Sequence, residues 1–468
     1  MSEILEYTYY HGRRIIFTSA KEINDENVIE ELNKAISIHK VNRAQIKYLY
    51  NYYKGKQPIL DRKKEVRPEI QNDIVENTAY EITSFKSSYL LGEPCTYVRR
   101  GEDDNASDGI AKLNDYMFTR DKASQDKILA DWLHIAGIGY RIILPTSEEE
   151  EMEDEEECPF IMDVINPMNT FILYNSGVGK RKLMGVTYTY NGSEEETYTV
   201  YTPNNIYKIC RGEITKNTEN HIGLIPIIEY RANTALMGAF EPVLDELNAL
   251  NTIQSNRVDD VEQIVQAFLK FIGCDINDDV LQTMKDEHVL ILPNGTDCGY
   301  VLAPLDQQQI QTLVDYTYSR ILTICGMPAT QNGGASTSDT GVAVMYRDGW
   351  KQAEANASDT ELFFKKAEKE MLRVVLKLCK EMSDINLKLS DIDIKFTRRQ
   401  YEASLTKAQT LITMLEAGIE PKVAFPICGL FYDPTDAYEQ SKELLEYKWG
   451  IASGEERNEM PELQQEIV

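Results

Sequence analysis

The stretch "TQNGGASTSDTGVAVMYRDGW" (Thr330–Trp350) sets Gly333-Gly334 and a run of small polar residues directly ahead of a helical pattern. Glycine-rich loops that open helices often hold phosphates, because backbone N–H groups and the helix N-terminus attract anions. Nucleotide chemistry asks for more. A triphosphate loop needs G-x-x-x-x-G-K-[ST], whose lysine reaches the β and γ phosphates, and no lysine stands among Gly333, Gly334 and Gly341. A dinucleotide site needs G-x-G-x-x-G after a strand. That motif is absent, and a helical pattern precedes the loop. The loop reads as a flexible connection between two helices.

The remaining reactive residue types are dispersed. Cys95, Cys158, Cys210, Cys274, Cys298, Cys325, Cys379 and Cys428 form no C-x-x-C pair, and the histidines (His11, His39, His134, His221, His288) are equally scattered. Structural zinc is not expected, and a reduced intracellular setting fits this cysteine usage. Neither H-E-x-x-H nor G-x-S-x-G occurs. The pairs Asp259-Asp260 and Asp278-Asp279 read as solvated helix faces. Acid–base work by paired carboxylates needs one raised pKa, and polar neighbours give no cause for one. The expectation is a protein without catalytic residues, metal or cofactor.

Charge restricts the partners. The 49 basic and 76 acidic residues give −27, whereas affinity for nucleic acid comes from Lys and Arg displacing counterions. A sequence-reading DNA binder is therefore excluded, and any contact with DNA has to be loose. Glu148–Glu157 holds nine acidic residues in ten, yet without it the balance is still −18. Lying between "YRIILP" and "PFIMDVI", the run reads as an extended, self-repelling hairpin loop. It lacks the interleaved turn glycines of a calcium site. No stretch has the ~18 apolar residues of a membrane helix. The first residues show no basic region followed by an apolar core, so secretion is not expected.

Several elements must surround the loop. Two helices are expected over 24–53, with Asn24 or Asp25 as cap and Gly55 as stop. The basic stretch Arg62-Lys63-Lys64 that follows reads as a solvated loop. Further helices are expected over 74–90, 107–118 and 121–135. From 159 to 231, alternating β-branched and aromatic runs predict a β-rich unit. Pro242 then opens a helix reaching about Phe268. Its expected apolar stripe is Leu244, Leu247, Leu250, Val258, Val261, Val265 and Phe268, and Asp245, Glu246, Asp259, Asp260 and Glu262 face only Arg257. Residues 273–305 form a small excursion, with Asn294-Gly295 as a hairpin signal. A second helix from about Asp306 to Cys325 returns antiparallel to the first. After the glycine loop, a helix is expected over about 341–382, with Gly349 as a kink and Phe364, Ala367, Met371, Val374, Val375 and Leu378 inward. A strand (391–398), two or three helices over 402–447 and a disordered acidic tail from Ala452 complete the reading.

Four stretches together resemble the portal proteins of tailed bacteriophages, of the type found in siphophages of Gram-positive hosts. They are "YYKGKQPI" (Tyr52–Ile59), "ENTAYEITSFKSSYLLGEP" (Glu76–Pro94), "GLIPIIEYRAN" with "VLDELNALNTIQSNRVDDVEQIVQAFLKFIG" (Gly223–Gly273), and "STSDTGVAVMYR" (Ser336–Arg347). Their order and spacing over about 50–400 carry the likeness more than any single motif. The resemblance implies an α+β portal fold: an N-terminal arm (1–24), an α/β wing (25–240), stem helices (241–268 and 306–328) around a small α/β clip (269–305), a tunnel loop (329–341), a long kinked helix with a wing strand (342–400), a helical crown (401–450) and a tail (451–468).

It also implies a ring, usually of twelve subunits, at the capsid vertex of a virion assembled in the host cytoplasm. Double-stranded DNA would pass through non-specifically. The large terminase subunit, a head-completion or adaptor protein, and the major capsid and scaffolding proteins would be partners. Gln331, Asn332, Gly333, Gly334, Ala335, Ser336, Thr337, Ser338, Asp339 and Thr340 would form the tunnel loop. Asp245, Glu246, Asp259, Asp260 and Glu262 would face the lumen. Asp278, Asp279, Lys285, Asp286, Glu287, Asn294 and Asp297 would dock partners at the clip. The competing readings are an acidic hydrolase with an unrecognised site, which would bind nucleotide or metal saturably; an acidic DNA mimic, which would displace a DNA-binding partner; and another capsid-associated structural protein, which would form no closed rings.

Overall fold

The computed structural model describes residues 12–65, 67–100, 105–146, 158–190, 196–265, 269–273, 295–300, 307–328, 349–383, 385–396, 404–431 and 434–449. The acidic run Glu148–Glu157, the glycine loop before Gly349 and the tail after Trp449 lie outside them. The chain folds as two compact units, one comprising the described residues up to Leu90 and of Tyr116–Leu389, the other those of Leu91–Asp115 and from Ser390 onward.

The larger unit starts with strand β1 (Ile16–Thr18) and helix α1 (Val28–Tyr53). Val28, Leu32, Ala35, Ile46, Leu49 and Tyr52 recur along α1 at helical spacing and are all buried. The helix ends before Gly55, whose φ of 84° no β-carbon-bearing residue adopts cheaply. One uninterrupted helix replaces the expected pair, since no glycine or proline breaks the pattern. In chain order there follow α2 (Thr78–Leu90), β2 (Thr96–Arg99), α3 (Asn105–Thr119), α4 (Lys122–Ala136), and strands β3 (Ile138–Pro145), β4 (Phe160–Ile165), β5 (Thr170–Asn175), β6 (Lys182–Tyr190), β7 (Glu196–Tyr201), β8 (Asn205–Cys210), β9 (Glu213–Glu219) and β10 (Ile227–Arg231).

Two sheets result. The six-stranded one has the order β1-β5-β6-β7-β8-β9, antiparallel apart from the parallel pair β1–β5, and the three-stranded one has the order β10-β3-β4. Helix α1 seals one face of the larger sheet: Val28, Leu32 and Ala35 join Phe171, Leu183, Val186 and Tyr207 in a single apolar cluster. Gly137 joins α4 to β3 at φ 76°, and a β-carbon there would lie 2.2 Å from the Leu236 carbonyl oxygen. Only glycine allows the backbones of these two segments to approach so closely.

After β10, a 3-10 turn (Glu241–Val243) leads into α5 (Leu244–Val265). Strand β11 (Leu269–Ile272) pairs antiparallel with β12 (Asp297–Tyr300), and α6 (Gln307–Cys325) follows. The strand after Asn294-Gly295 thus partners β11; the run "HVLILP" lies outside the described residues. Helix α7 (Trp350–Met382) buries Phe364, Ala367, Met371, Val374, Val375 and Leu378, the set that the sequence predicted. Gly349 stands at the N-cap of α7 with φ 80°, and the expected helical residues before it lie outside the described residues.

In the smaller unit, β13 (Ile392–Lys395) pairs antiparallel with β2. Helices α8 (Ser404–Glu416), α9 (Pro421–Cys428) and α10 (Pro434–Trp449) close over Phe425, with Leu411, Ala424 and Cys428 buried beside it.

Candidate functional site

Helices α5 and α6 are the helical pair that the sequence placed on either side of the excursion. The N-terminal half of α5 lies in one apolar cluster with the C-terminal half of α6: Leu244, Leu247 and Leu250 meet Val314, Ile321, Leu322 and Cys325 over Tyr52 and Phe240. At the opposite end Arg257 donates to Gln307 (2.8 Å) and Gln311 (2.7 Å), so the two helices run antiparallel as expected. Among the described residues Arg257 thus binds amide side chains and no acid. Burial pushes the Cys325 thiol up to about 12, leaving it a protonated, unreactive core group.

The expected apolar stripe of α5 holds for its first half only. Val258 and Val261 are 40% and 50% exposed, while Asn251, Ser255 and Asp259 are buried. An extended segment explains the inversion. The backbone N–H groups of Glu76, Ile74 and Asn72 donate in turn to Asn251 Oδ1 (3.0 Å), Ser255 Oγ (2.9 Å) and Asp259 Oδ1 (2.7 Å). Four helical residues rise ~6.0 Å, and two extended residues cover ~6.6 Å. Alternate amides of the strap therefore meet every fourth residue of the helix.

Asp259 is the centre of this strap. Its carboxylate also accepts from Arg62 Nη2 (2.9 Å), Lys64 Nζ (2.9 Å) and Asn72 Nδ2 (3.0 Å), and its side chain is 2% exposed. Burial by itself would raise its pKa, but the hydrogen bonds from Lys64, Asn72 and Arg62 outweigh that and hold it below the usual carboxylate range. Two expectations are thereby corrected. Asp259 does not lie on a solvated face, and Arg62-Lys63-Lys64 is not simply a solvated loop. Its backbone is extended, so Arg62 and Lys64 turn towards α5 while Lys63 stays exposed. Arg62 also reaches Asn256 (2.7 Å) and Asp73 (3.3 Å), and Glu262 accepts from Asn72 (2.9 Å).

The other predicted residues are placed as follows. Asp245 is exposed, and Glu246 and Asp260 are half-buried. Asp297 is exposed on β12. Asp278, Asp279, Lys285, Asp286, Glu287 and Asn294 lie outside the described residues, as do Gln331, Asn332, Gly333, Gly334, Ala335, Ser336, Thr337, Ser338, Asp339 and Thr340.

A second polar assembly, missed by sequence reasoning, fixes α7 to the body of the larger unit. Lys122, Asp126, Arg141 and Glu368 form a closed ring of alternating charge, all buried. Lys122 Nζ lies 2.5 Å from Asp126 and 3.1 Å from Glu368, and Arg141 lies 2.5 Å and 3.3 Å from the same two acids. The Tyr230 hydroxyl donates to Glu368 (2.6 Å). The set has no net charge and every acid has two cationic partners, which is what permits burial. Among the described residues no three His, Cys, Asp or Glu side chains are grouped to hold a metal ion, and no helix is long and apolar enough to cross a membrane.

Comparison with known families decides what this architecture is. The family described as "Phage portal protein, SPP1 Gp6-like" matches residues 32–448. The chain belongs to this family of phage portal proteins. It is therefore a structural protein and not an enzyme, a ring-forming component of the capsid portal vertex. A chain in the "Virion of native gene transfer agent (GTA) particle" is 12% identical, over 82% of this chain and 93% of that one, with a TM-score of 0.47. A chain in the "Neck of empty GTA particle computed with C6 symmetry" is 14% identical, over 75% and 90%, with a TM-score of 0.44. No curated protein matches. At such low likeness to solved structures, the family match carries the assignment.

Proposed function

We propose that this portal subunit assembles into a twelve-membered ring whose central channel lets double-stranded DNA enter and leave the capsid without gripping it. The observation that carries the reading is the family match over residues 32–448. In this reading α5 and α6 are the stem, the segment between them is the clip, and the residues after 400 are the crown. The wing comprises residues 25–240 and 342–400. Gln331–Thr340 is the tunnel loop that reaches the channel. Asp245, Glu246, Asp260 and Glu262 supply the acidic lumen. Asp259 is withdrawn from that role, because Arg62 and Lys64 already neutralise it.

The chemistry supports loose passage. Each lysine meeting a phosphate adds about one counterion-release contribution to affinity, and a ring multiplies that by its subunit number. A loop of glycine, serine and threonine adds almost none. An acidic wall repels the duplex over only ~8 Å at physiological salt, enough to keep it centred. ATP hydrolysis then belongs to the terminase motor that docks on the clip, which later takes the head-completion protein. The major capsid and scaffolding proteins contact the outside of the ring.

Replacing Ser336 and Ser338 together by lysine tests the loop assignment. Phage carrying this portal should package or eject DNA more slowly, in a manner relieved by added salt. Unchanged packaging and ejection would remove the loop from the channel.

A further inference from the structure

A cavity of about 950 Å³ opens between the β5–β6 turn, the loop after β9 and the outer face of α7. Its walls run against the charge of the rest of the chain. Lys180, Arg181, Lys182, Arg231, Lys366 and Arg373 line it against three acids, Glu22, Glu229 and Glu370, in a protein of net charge −27. Some of these cations are committed. Lys182 pairs with Glu370 (2.5 Å), Arg231 pairs with Glu229 (2.6 Å), Arg181 donates to the Lys21 carbonyl (3.4 Å), and Lys180 lies 5.4 Å over the Phe17 ring. Lys366 and Arg373 are not. They stand seven residues apart on one face of α7, both are exposed, and among the described residues neither has an ion-pair partner. The floor is apolar, with Ile23, Leu183, Ile225, Phe363 and Val374. Three apolar side chains remain in water at the rim: Val178 (fully exposed), Phe17 (39%) and Leu224 (36%).

We propose that this cavity is half of the contact between neighbouring subunits and takes an acidic, apolar-bearing surface of a second copy of this chain. The proposal rests on the portal reading. A ring contact is heterologous, so each copy must offer two different patches that complement each other. Copies carrying −27 each repel one another unless the contact sets a basic patch against an acidic one. Acidic surface is abundant on the next copy, and this cavity is a basic concentration with free apolar area beside it. A nucleic-acid backbone fits less well. Only two of the six cations are uncommitted, and an apolar floor offers phosphates nothing.

The test uses the full-length chain. Wild type, Lys366→Glu/Arg373→Glu, the conservative pair Lys366→Arg/Arg373→Lys, and Val178→Asp are compared by native mass spectrometry over a concentration series, with circular dichroism to verify folding. All substituted side chains are exposed, so the fold should be retained. The charge reversal should raise the concentration needed for ring assembly by roughly a hundredfold, since it turns attraction into repulsion at the contact. Val178→Asp should act in the same direction, and the conservative pair should assemble normally. Rings forming from the charge-reversed and Val178→Asp chains at the wild-type concentration would overturn the cavity assignment and leave the portal reading standing. The same holds if the reversal abolishes only binding to double-stranded DNA or to an acidic peptide. A wild-type chain that forms no rings at any concentration refutes the portal reading, and the cavity assignment with it.

Discussion

Removing the Asp259 carboxylate tests the strap more sharply than any other change. In Asp259→Ala the Asn72 N–H loses an acceptor at 2.7 Å, and Arg62 and Lys64 lose a shared anion at 2.9 Å. Breaking a buried ion pair from one side costs ~3–5 kcal/mol. The Arg62 and Lys64 side chains retain 17% and 20% exposure, so both can partly rehydrate, and about 2–4 kcal/mol is expected. Global unfolding of a large, two-unit assembling chain averages over this one segment. Amide hydrogen exchange over residues 70–77 reads local opening directly. With tenfold per ~1.4 kcal/mol, exchange there should speed up about 30- to 1000-fold. Ser255→Ala removes a single neutral hydrogen bond worth ~1 kcal/mol and should speed it about fivefold. Unchanged exchange in Asp259→Ala would refute the account of α5 as a helix held by alternate strap amides.

Glu368→Ala leaves Lys122 and Arg141 buried opposite Asp126 alone, a cost of ~3–5 kcal/mol. Thermal melting should fall by on the order of 5–10 °C, and a fall below ~1 °C would show the charge ring to be dispensable. Stability should also fall in mild acid. Burial lowers His39 to about 4 and His134 to about 3, while each ionises near 6.5 once unfolded. Both rings are neutral in the folded chain, so their contribution is intact above pH ~6.5 and is lost by about 1.4 kcal/mol per pH unit each below it. Melting temperatures from pH 7.5 to 5 should show this slope, and His39→Gln should reduce it.

Local patterns carried much of this fold into the sequence. The spacing of Phe364, Ala367, Met371, Val374, Val375 and Leu378 on α7 is a local property, and all six are buried. The alternation from 159 to 231 became strands β4 to β10 for the same reason. What eluded the sequence depends on distant partners. Asp259 reads as solvent-facing until Arg62 and Lys64, almost two hundred residues earlier, are laid across it. The three polar residues Asn251, Ser255 and Asp259, each four apart, were the available signal: small or short polar side chains on one helical face can receive a passing backbone. Val258 and Val261 read as a continuation of the core because the strap that occupies the polar face comes from a distant segment. Lys122, Asp126, Arg141 and Glu368 showed no pattern, since four elements supply the ring and its tyrosine.

Negative-stain imaging of the purified full-length chain tests the central claim most directly. Closed rings of about twelve copies around an open centre are expected. Single subunits or dimers at every concentration, with no annular particles, would contradict it.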